Sequence, residues 1–392
     1  MSLAAPPAPR GTLPFLVKHH MSHGLPRARV EIPPVPALTT ADLKLAERLM
    51  NVYDRAVQHE AGMTSKPSQD VWEMIGNEFH GEFLDALRTR QTHQLAKILN
   101  AAFRHDISHG LGYGVFVYNA AQTPEGNASI AALTIDRLAS LAEALAALPY
   151  ENPEQGRWGE NIYIPPDELL DRIEQVIGIS ACPPNICGHF GVPMRGGYMF
   201  AQSCNQLYMA ARIRQILDGS SWPRRVCEIG AGYGGTAYYA ALLGFRDYRI
   251  FDLPVVNVLQ GYYLIKALPE CSVVLYGESA NSPAVCVYPY WMFSDQPSKS
   301  FGIVVNQDSF PEINPQIVFG YLREIVRTTS CFLSINQEGQ APGCGPDGLQ
   351  NLLPWMANQI PALRRVDRSP FWIRRGYVEE VYHCTDATPS AL

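Results

Sequence analysis

Charge is scarce in this chain. Asp, Glu, Lys and Arg make up 17% of its 392 residues, and the formal net charge is −6. No long basic block interrupts that balance, so neither duplex nucleic acid nor an anionic membrane is expected as a partner. No run of 18 uncharged apolar residues occurs, and no membrane span is expected. The most apolar candidate, "ASIAALTIDRLASLAEALAAL", carries Asp136, Arg137 and Glu143 and reads as an Ala-rich amphipathic helix. The opening "MSLAAPPAPRGTLPF" lacks the apolar stretch of a secretory signal. The nine cysteines are scattered and odd in number. Free thiols in a cytoplasmic protein are the expectation. Internal repeats are also missing. What is abundant is apolar content, 47%, which makes the chain globular with a substantial core.

Residues 1–38 hold eight prolines and should form no regular helix. Residues 39–150 read as a helical region. "TADLKLAERLMNVYDRAVQHE" spaces Leu43, Ala46, Leu49, Met50, Tyr53 and Val57 at helical intervals behind a Thr cap. Residues 151–219 form a Pro-, Gly- and aromatic-rich connection with helices near 166–177 and before Gly219. From residue 220 to 392 the period changes. "RRVCEIG", "YRIFDL", "CSVVLYG", "FGIVVNQ" and "CFLSINQ" alternate with helical stretches, which implies βαβ units and a parallel sheet.

The most informative stretch is "VCEIGAGYGGTAYY", residues 226–239. A strand enters a Gly-rich turn and then a helix. Glycine lets the backbone approach a ligand closely. Two cofactors fit. Gly230-x-Gly232-x-x-Gly235, with Asp252 about 20 residues on, matches the dinucleotide pattern of NAD-dependent oxidoreductases. Glu228-x-Gly230-x-Gly232-x-Gly234 equally matches the first motif of S-adenosylmethionine-dependent enzymes. In either case Asp252 would accept hydrogen bonds from ribose hydroxyls. Three features favour the methyl donor: Glu228 two residues before the first glycine, Asp252 within "FDLP" as in O-methyltransferases, and the late position of the motif behind a helical region.

The chain resembles the sugar O-methyltransferases of bacteria over roughly residues 70–340. The resemblance rests on "NPEQGRWGEN", "PPNICGHFGV", "LYMAARI", "CEIGAGYGGTAYYA", "YRIFDLPVVNVLQGYYL", "VVNQDSFPEI" and "FLSINQEG". It implies a Rossmann-like class I methyltransferase sheet behind a helical N-terminal region. It also implies S-adenosylmethionine as cofactor, and a small-molecule or glycan acceptor methylated on a hydroxyl. A binding protein that keeps the fold without turnover is the alternative from another class.

In open parallel sheets, ligands lie beyond the carboxyl ends of the strands. On that rule Glu228, Gly230, Gly232, Gly234, Asp252, Leu253, Glu278, Ser279 and Asn306 are the candidate cofactor residues, with Glu278 and Ser279 near the adenine. Transfer to a weakly nucleophilic hydroxyl calls for a base. Asp308 leads as candidate, with Glu312 and Glu338 as substitutes. As an alternative, Asp308 could simply cap the next helix, since "DSFPEI" has the pattern of a capping box. Asp308, Glu312 and Glu338 could together hold Mg²⁺. His189, in a Gly/Pro-rich loop, is the candidate histidine on the acceptor side, although a lone histidine is more often structural. Cys182, Cys187 and His189 lack the further ligand of a standard zinc set. Most aromatics should be core; Tyr290 and Trp291 are the ones expected to be exposed.

Overall fold

The computed structural model describes residues 28–63, 70–111, 113–149, 164–279, 283–341, 343 and 348–385. Residues 1–27 of the Pro-rich segment and "NPEQGRWGEN" lie outside the described residues.

The helical region comprises α1 (Thr40–Ala61), α2 (Asp70–Phe79), α3 (Gly81–Arg88), α4 (Thr92–Asn100), α5 (Val115–Ala120) and α6 (Pro124–Ala144). Thr39 caps α1 in a capping box with Asp42. The connection holds α7 (Pro166–Ile177), a hairpin of β1 (Val192–Met194) and β2 (Gly197–Met199), and α8 (Ala201–Asp218). Beyond it the chain alternates as expected: β3 (Val226–Ile229), α9 (Gly235–Leu242), β4 (Tyr248–Asp252), α10 (Pro254–Ala267), β5 (Val273–Leu275) and β6 (Val285–Pro289). It continues with β7 (Ile303–Gln307), α11 (Pro315–Thr328), β8 (Cys331–Gln337), α12 (Leu353–Asn358), β9 (Leu363–Pro370) and β10 (Tyr377–Cys384). Among the described residues no helix is long and apolar enough to cross a membrane, and their eight cysteines are free thiols.

Eight strands form one sheet in the order β5-β6-β4-β3-β7-β8-β10-β9. β10 runs antiparallel to both its neighbours; the pairs from β5 to β8 are parallel. The chain leaves central β3 toward β4 and β6, then crosses to β7 on the other side. Strand order therefore reverses between β3 and β7, and a crevice opens there.

Strand side chains alternate between the faces. Val226, Ile250, Val285, Ile303, Leu333 and Ile335 face α8, α9 and α10. Cys227, Ile229, Phe251, Val304 and Phe332 face α11 and α12. The helical region adds Ala46, Leu49, Leu95, Leu99 and Leu138 to the first of these clusters, so it shares a core with the sheet. α1 packs on α10, where Lys266 donates to Asp42 Oδ1 at 2.6 Å and Tyr262 donates to the same oxygen at 2.9 Å.

Two sequence expectations need correction. "CSVVLYG" is not the third strand of the core but the three-residue edge β5, paired among the described residues only with β6. The third position belongs to β6, which is not among the five expected strands. It pairs with β4 so that Asp252 lies opposite Pro289. Trp291 accordingly sits in a short 3₁₀ turn, Tyr290–Phe293, and is buried rather than exposed.

Candidate functional site

A cavity of about 460 Å³ lies at the carboxyl ends of β3, β4 and β7, within the size range of small-molecule sites. The glycine turn forms its floor. Gly230, Gly232 and Gly234 all have positive φ, at 71°, 56° and 95°. A Cβ on Gly230 would lie 2.3 Å from Ser309 Oγ, whereas one on Gly232 would meet nothing closer than Leu111 O at 4.0 Å. Gly230 is needed for packing, and Gly232 leaves the floor open to a ligand. Gly234 does not line the cavity; it starts α9 against Leu264.

Asp252 is held by the turn. Its Oδ2 accepts from Ala231 N at 3.0 Å and from Gln260 Nε2 at 2.7 Å, and its Oδ1 accepts from Leu253 N at 2.8 Å. Gln260 Nε2 also donates to Gly232 O at 2.8 Å. The "LQGYY" continuation thus has a physical reason: Gln260 locks the acid to the second glycine. Burial raises the Asp252 pKa to about 6 against the pull of these donors. Glu228, two residues before the turn, lines the cavity from below, and its Oε2 accepts from Tyr248 Oη at 2.7 Å. Burial raises its pKa to about 7, opposed by Tyr248 and Thr236. Leu253 also lines the cavity.

The opposite end carries Asp308 and Glu312. Asp308 follows β7 with φ 61°, left-handed backbone that a non-glycine residue adopts at a cost. Its carboxylate caps no helix. Oδ2 accepts from Arg374 Nη1 at 2.6 Å, and Oδ1 accepts from the Tyr377 hydroxyl. α11 is capped by Asn314 instead, which removes the capping alternative for Asp308. Glu312 ends the short turn Phe310–Glu312; burial first, then Asp308, raises its pKa to about 7. Burial, reinforced by Asp308, keeps the Tyr377 phenol well above its ordinary range, so it remains a donor at neutral pH. Gln307, Asn314, Gln337 and Gln350 complete this end.

The structure places the other candidates elsewhere. Glu338 is turned to the sheet surface, where Arg368 Nη2 donates to it at 2.8 Å. It does not join Asp308 and Glu312, so the three carboxylates do not form the Mg²⁺ set expected of them, and among the described residues no group of three or more His, Cys, Asp or Glu is placed to hold a metal. His189 is buried outside the cavity, with Nε2 2.7 Å from Tyr198 O, and burial lowers its pKa to about 4. Glu278 follows edge strand β5 and receives Arg48 in a two-pronged ion pair, with Nη2 2.6 Å from Oε2. Ser279 beside it is exposed and off the cavity. Tyr290, after β6, occupies the cavity wall that had been assigned to them. Asn306 is buried behind the turn; its Nδ2 donates to Ile229 O at 2.9 Å and to Ser309 Oγ at 2.5 Å. It supports the loop rather than lining the cavity.

Several lining residues gave no local sequence signal. Gln202 and Gln206 lie one turn apart on α8, and Gly110 and Leu111 come from the helical region. Arg374 and Tyr377 come from the hairpin joining β9 to β10.

No family profile matches the chain, and no curated protein matches it in sequence. The sheet, parallel from β5 to β8 with helices on both faces, is Rossmann-like. Solved structures do resemble it in fold. One is an S-adenosylmethionine-dependent methyltransferase from Mesorhizobium loti, at 11% identity over 44% of this chain and 96% of that one, TM-score 0.30. Another is the magnesium protoporphyrin IX methyltransferase of Synechocystis with bound S-adenosylmethionine, at 10% identity over 46% and 79%, TM-score 0.31. A glycopeptide N-methyltransferase complexed with sinefungin gives 13% identity over 45% and 87%, TM-score 0.32.

The buried acids have a consequence for stability. Glu228 and Glu312 with pKa values of about 7, and Asp252 at about 6, keep protons in the fold that the unfolded chain has already released. Their contribution is full below the unfolded values near pH 4 and is lost as pH rises through 6 to 7. The ligand-free protein should therefore lose stability between pH 5 and pH 8. Glu228→Gln keeps an acceptor for Tyr248 and has no proton to lose. Its thermal midpoint should exceed the wild-type value at pH 8, by a gain of about 1–3 kcal/mol, and the gap should close toward pH 4. Melting curves across that range check this; a wild type more stable than the variant at pH 8 contradicts it.

Proposed function

We propose that this chain is an S-adenosylmethionine-dependent O-methyltransferase acting on a hydroxyl of a sugar or glycoconjugate. The observation that carries the reading is a single cavity with two chemically distinct ends. One end has an open glycine turn and a ribose-type acid, Asp252, already oriented by Gln260. The other has two carboxylates beside Arg374 and Tyr377, surrounded by amide side chains. Amides both donate and accept, which suits an array of sugar hydroxyls.

In this reading residues 220–392 bind the donor, with Glu228, Gly230, Gly232, Asp252, Leu253 and Tyr290 around it. The helical region 39–150 and the connection 151–219 cover the acceptor. The sulfonium is already activated, so the chain's task is to align donor and hydroxyl and to remove one proton. The Asp308–Glu312 pair stands where that proton leaves. Free, mostly buried thiols suit a cytoplasmic enzyme.

Calorimetric titration should show micromolar binding of S-adenosylmethionine and S-adenosylhomocysteine and none of NAD. Tighter binding of NAD would assign the site to an oxidoreductase. Transfer of a labelled methyl group to a panel of monosaccharides and nucleotide sugars tests the acceptor class. Cofactor binding without transfer to any hydroxyl compound would favour the non-catalytic alternative.

A further inference from the structure

We infer that Gln206 determines which nucleoside the cavity accepts: its side-chain amide donates to the carboxylate of an amino-acid tail on the donor, with Gln202 beside it. The inference deepens the methyltransferase reading above and rests on it.

Gln206 lies on α8 at 5% exposure and lines the cavity. Its Oε1 accepts from the Tyr233 hydroxyl at 2.5 Å. The Tyr233 ring makes T-shaped contacts with Phe103 and Tyr263, each at 4.9 Å between centroids. Burial keeps its phenol well above the ordinary range, so the hydroxyl retains a proton to donate. The amide is thereby turned with its oxygen toward Tyr233, and Nε2 is left over. It donates to no protein group among the described residues, yet it is not sealed inside the protein. Gln202, one turn earlier, repeats the arrangement. Its Oε1 accepts from Asn205 Nδ2 at 3.1 Å, and its Nε2 has no protein acceptor among the described residues.

The neighbouring helix has made room for this amide. Gly235 opens α9 with helical backbone, so its φ would suit alanine. A Cβ there would nevertheless fall 2.2 Å from Gln206 Oε1 and 2.5 Å from Nε2. In a dinucleotide site the third glycine lets helix and strand pack closely. Here the residue in that place admits the side chain of Gln206.

The chemistry of this corner is one-sided. Both amides have their carbonyl oxygens committed to the protein and offer only N–H groups. They stand beside the N-terminal turn of α9, where the helix dipole adds positive potential. A hydroxyl wants an acceptor as well as a donor, whereas a carboxylate only accepts. Arg374, which lines the cavity as a cation, is at the opposite end beside Asp308. The carboxylate held by Gln206 therefore belongs to the molecule seated on the glycine turn, not to the acceptor.

Calorimetric titration of the whole chain with three nucleosides tests this. S-adenosylhomocysteine has the full tail. Its decarboxylated analogue keeps the ammonium alone. Methylthioadenosine has neither charge. The wild type should bind S-adenosylhomocysteine about 10- to 100-fold more tightly than the decarboxylated analogue, the range of charge-assisted hydrogen bonds. Gln206→Met should lower that affinity by about tenfold or more and leave methylthioadenosine within about threefold, so the preference for the carboxylate collapses. Methionine leaves the Tyr233 hydroxyl without its acceptor. Gln206→Met combined with Tyr233→Phe removes both partners, which restores folding if the single variant melts early, and should show the same selective loss. Gln202→Met should show a smaller loss of the same kind.

A wild type indifferent to the carboxylate overturns the inference. So does a folded Gln206→Met protein, single or combined, that keeps the full preference or that loses all three nucleosides alike. Failure of the wild type to bind any of the three instead removes the methyltransferase reading itself.

Discussion

Asp252→Ala should weaken S-adenosylhomocysteine binding by about 30- to 1000-fold, or roughly 2–4 kcal/mol. The acid stands at the carboxyl end of β4 facing the cavity, with lone pairs left over after its bonds to Ala231, Leu253 and Gln260. A ribose placed there would give it two charge-assisted hydrogen bonds, and alanine supplies neither. Without ligand the thermal midpoint should change modestly, because the deletion removes a desolvated charge together with its hydrogen bonds. Calorimetry on a variant with native circular dichroism checks the outcome. Wild-type affinity in such a variant would mean that the ribose does not lie on β4.

Gly230→Ala should be the most damaging single methyl group in the glycine turn. The residue holds φ 71°, where an L side chain costs about 1–2 kcal/mol. Its new Cβ would also lie 2.3 Å from Ser309 Oγ and 2.7 Å from Ser309 Cβ. Ser309 has no room to yield, since it is buried and bonded by Asn306 at 2.5 Å. Backbone strain and overpacking together predict roughly 2–5 kcal/mol of destabilisation, seen as a fall of several degrees in the thermal midpoint with loss of cofactor binding. Adding Ser309→Gly should recover the overpacking part and leave the backbone part. A Gly230→Ala protein as stable as wild type would refute the close approach of β3 and the loop after β7.

These two positions were visible in the sequence because their signals are local. A strand, a glycine turn and an acid at the end of the next strand lie within 30 residues, and each is specified by its own neighbours. Edge strand β5 misled for the same reason. Its apolar run looks like a core strand, and only pairing across the sheet shows that β6 stands between it and β4. Glu278 and Ser279 went astray with it. The hairpin was illegible for a different reason. β9 reads "LRRVDRSP", an exposed strand whose charges hide any alternation. Arg374 and Tyr377 reach Asp308 across more than 60 residues of chain, through antiparallel pairing that no local pattern encodes. Asp308 and Glu312 were therefore found as a pair, while the partners of Asp308 came from outside the segment.

The Asp252–Gln260–Gly232 bonds also bear on the speed of cofactor capture. A glycine-rich loop left free would sample many conformations, and an arriving nucleoside would bind only the fraction already in shape. Here one glutamine donates to both the acid and the second glycine, tying them together through the protein's own bonds. Little loop entropy remains to be lost on association. A nucleoside bound as proposed would meet a finished seat, with an encounter rate set by diffusion and orientation rather than by waiting for the loop to fold.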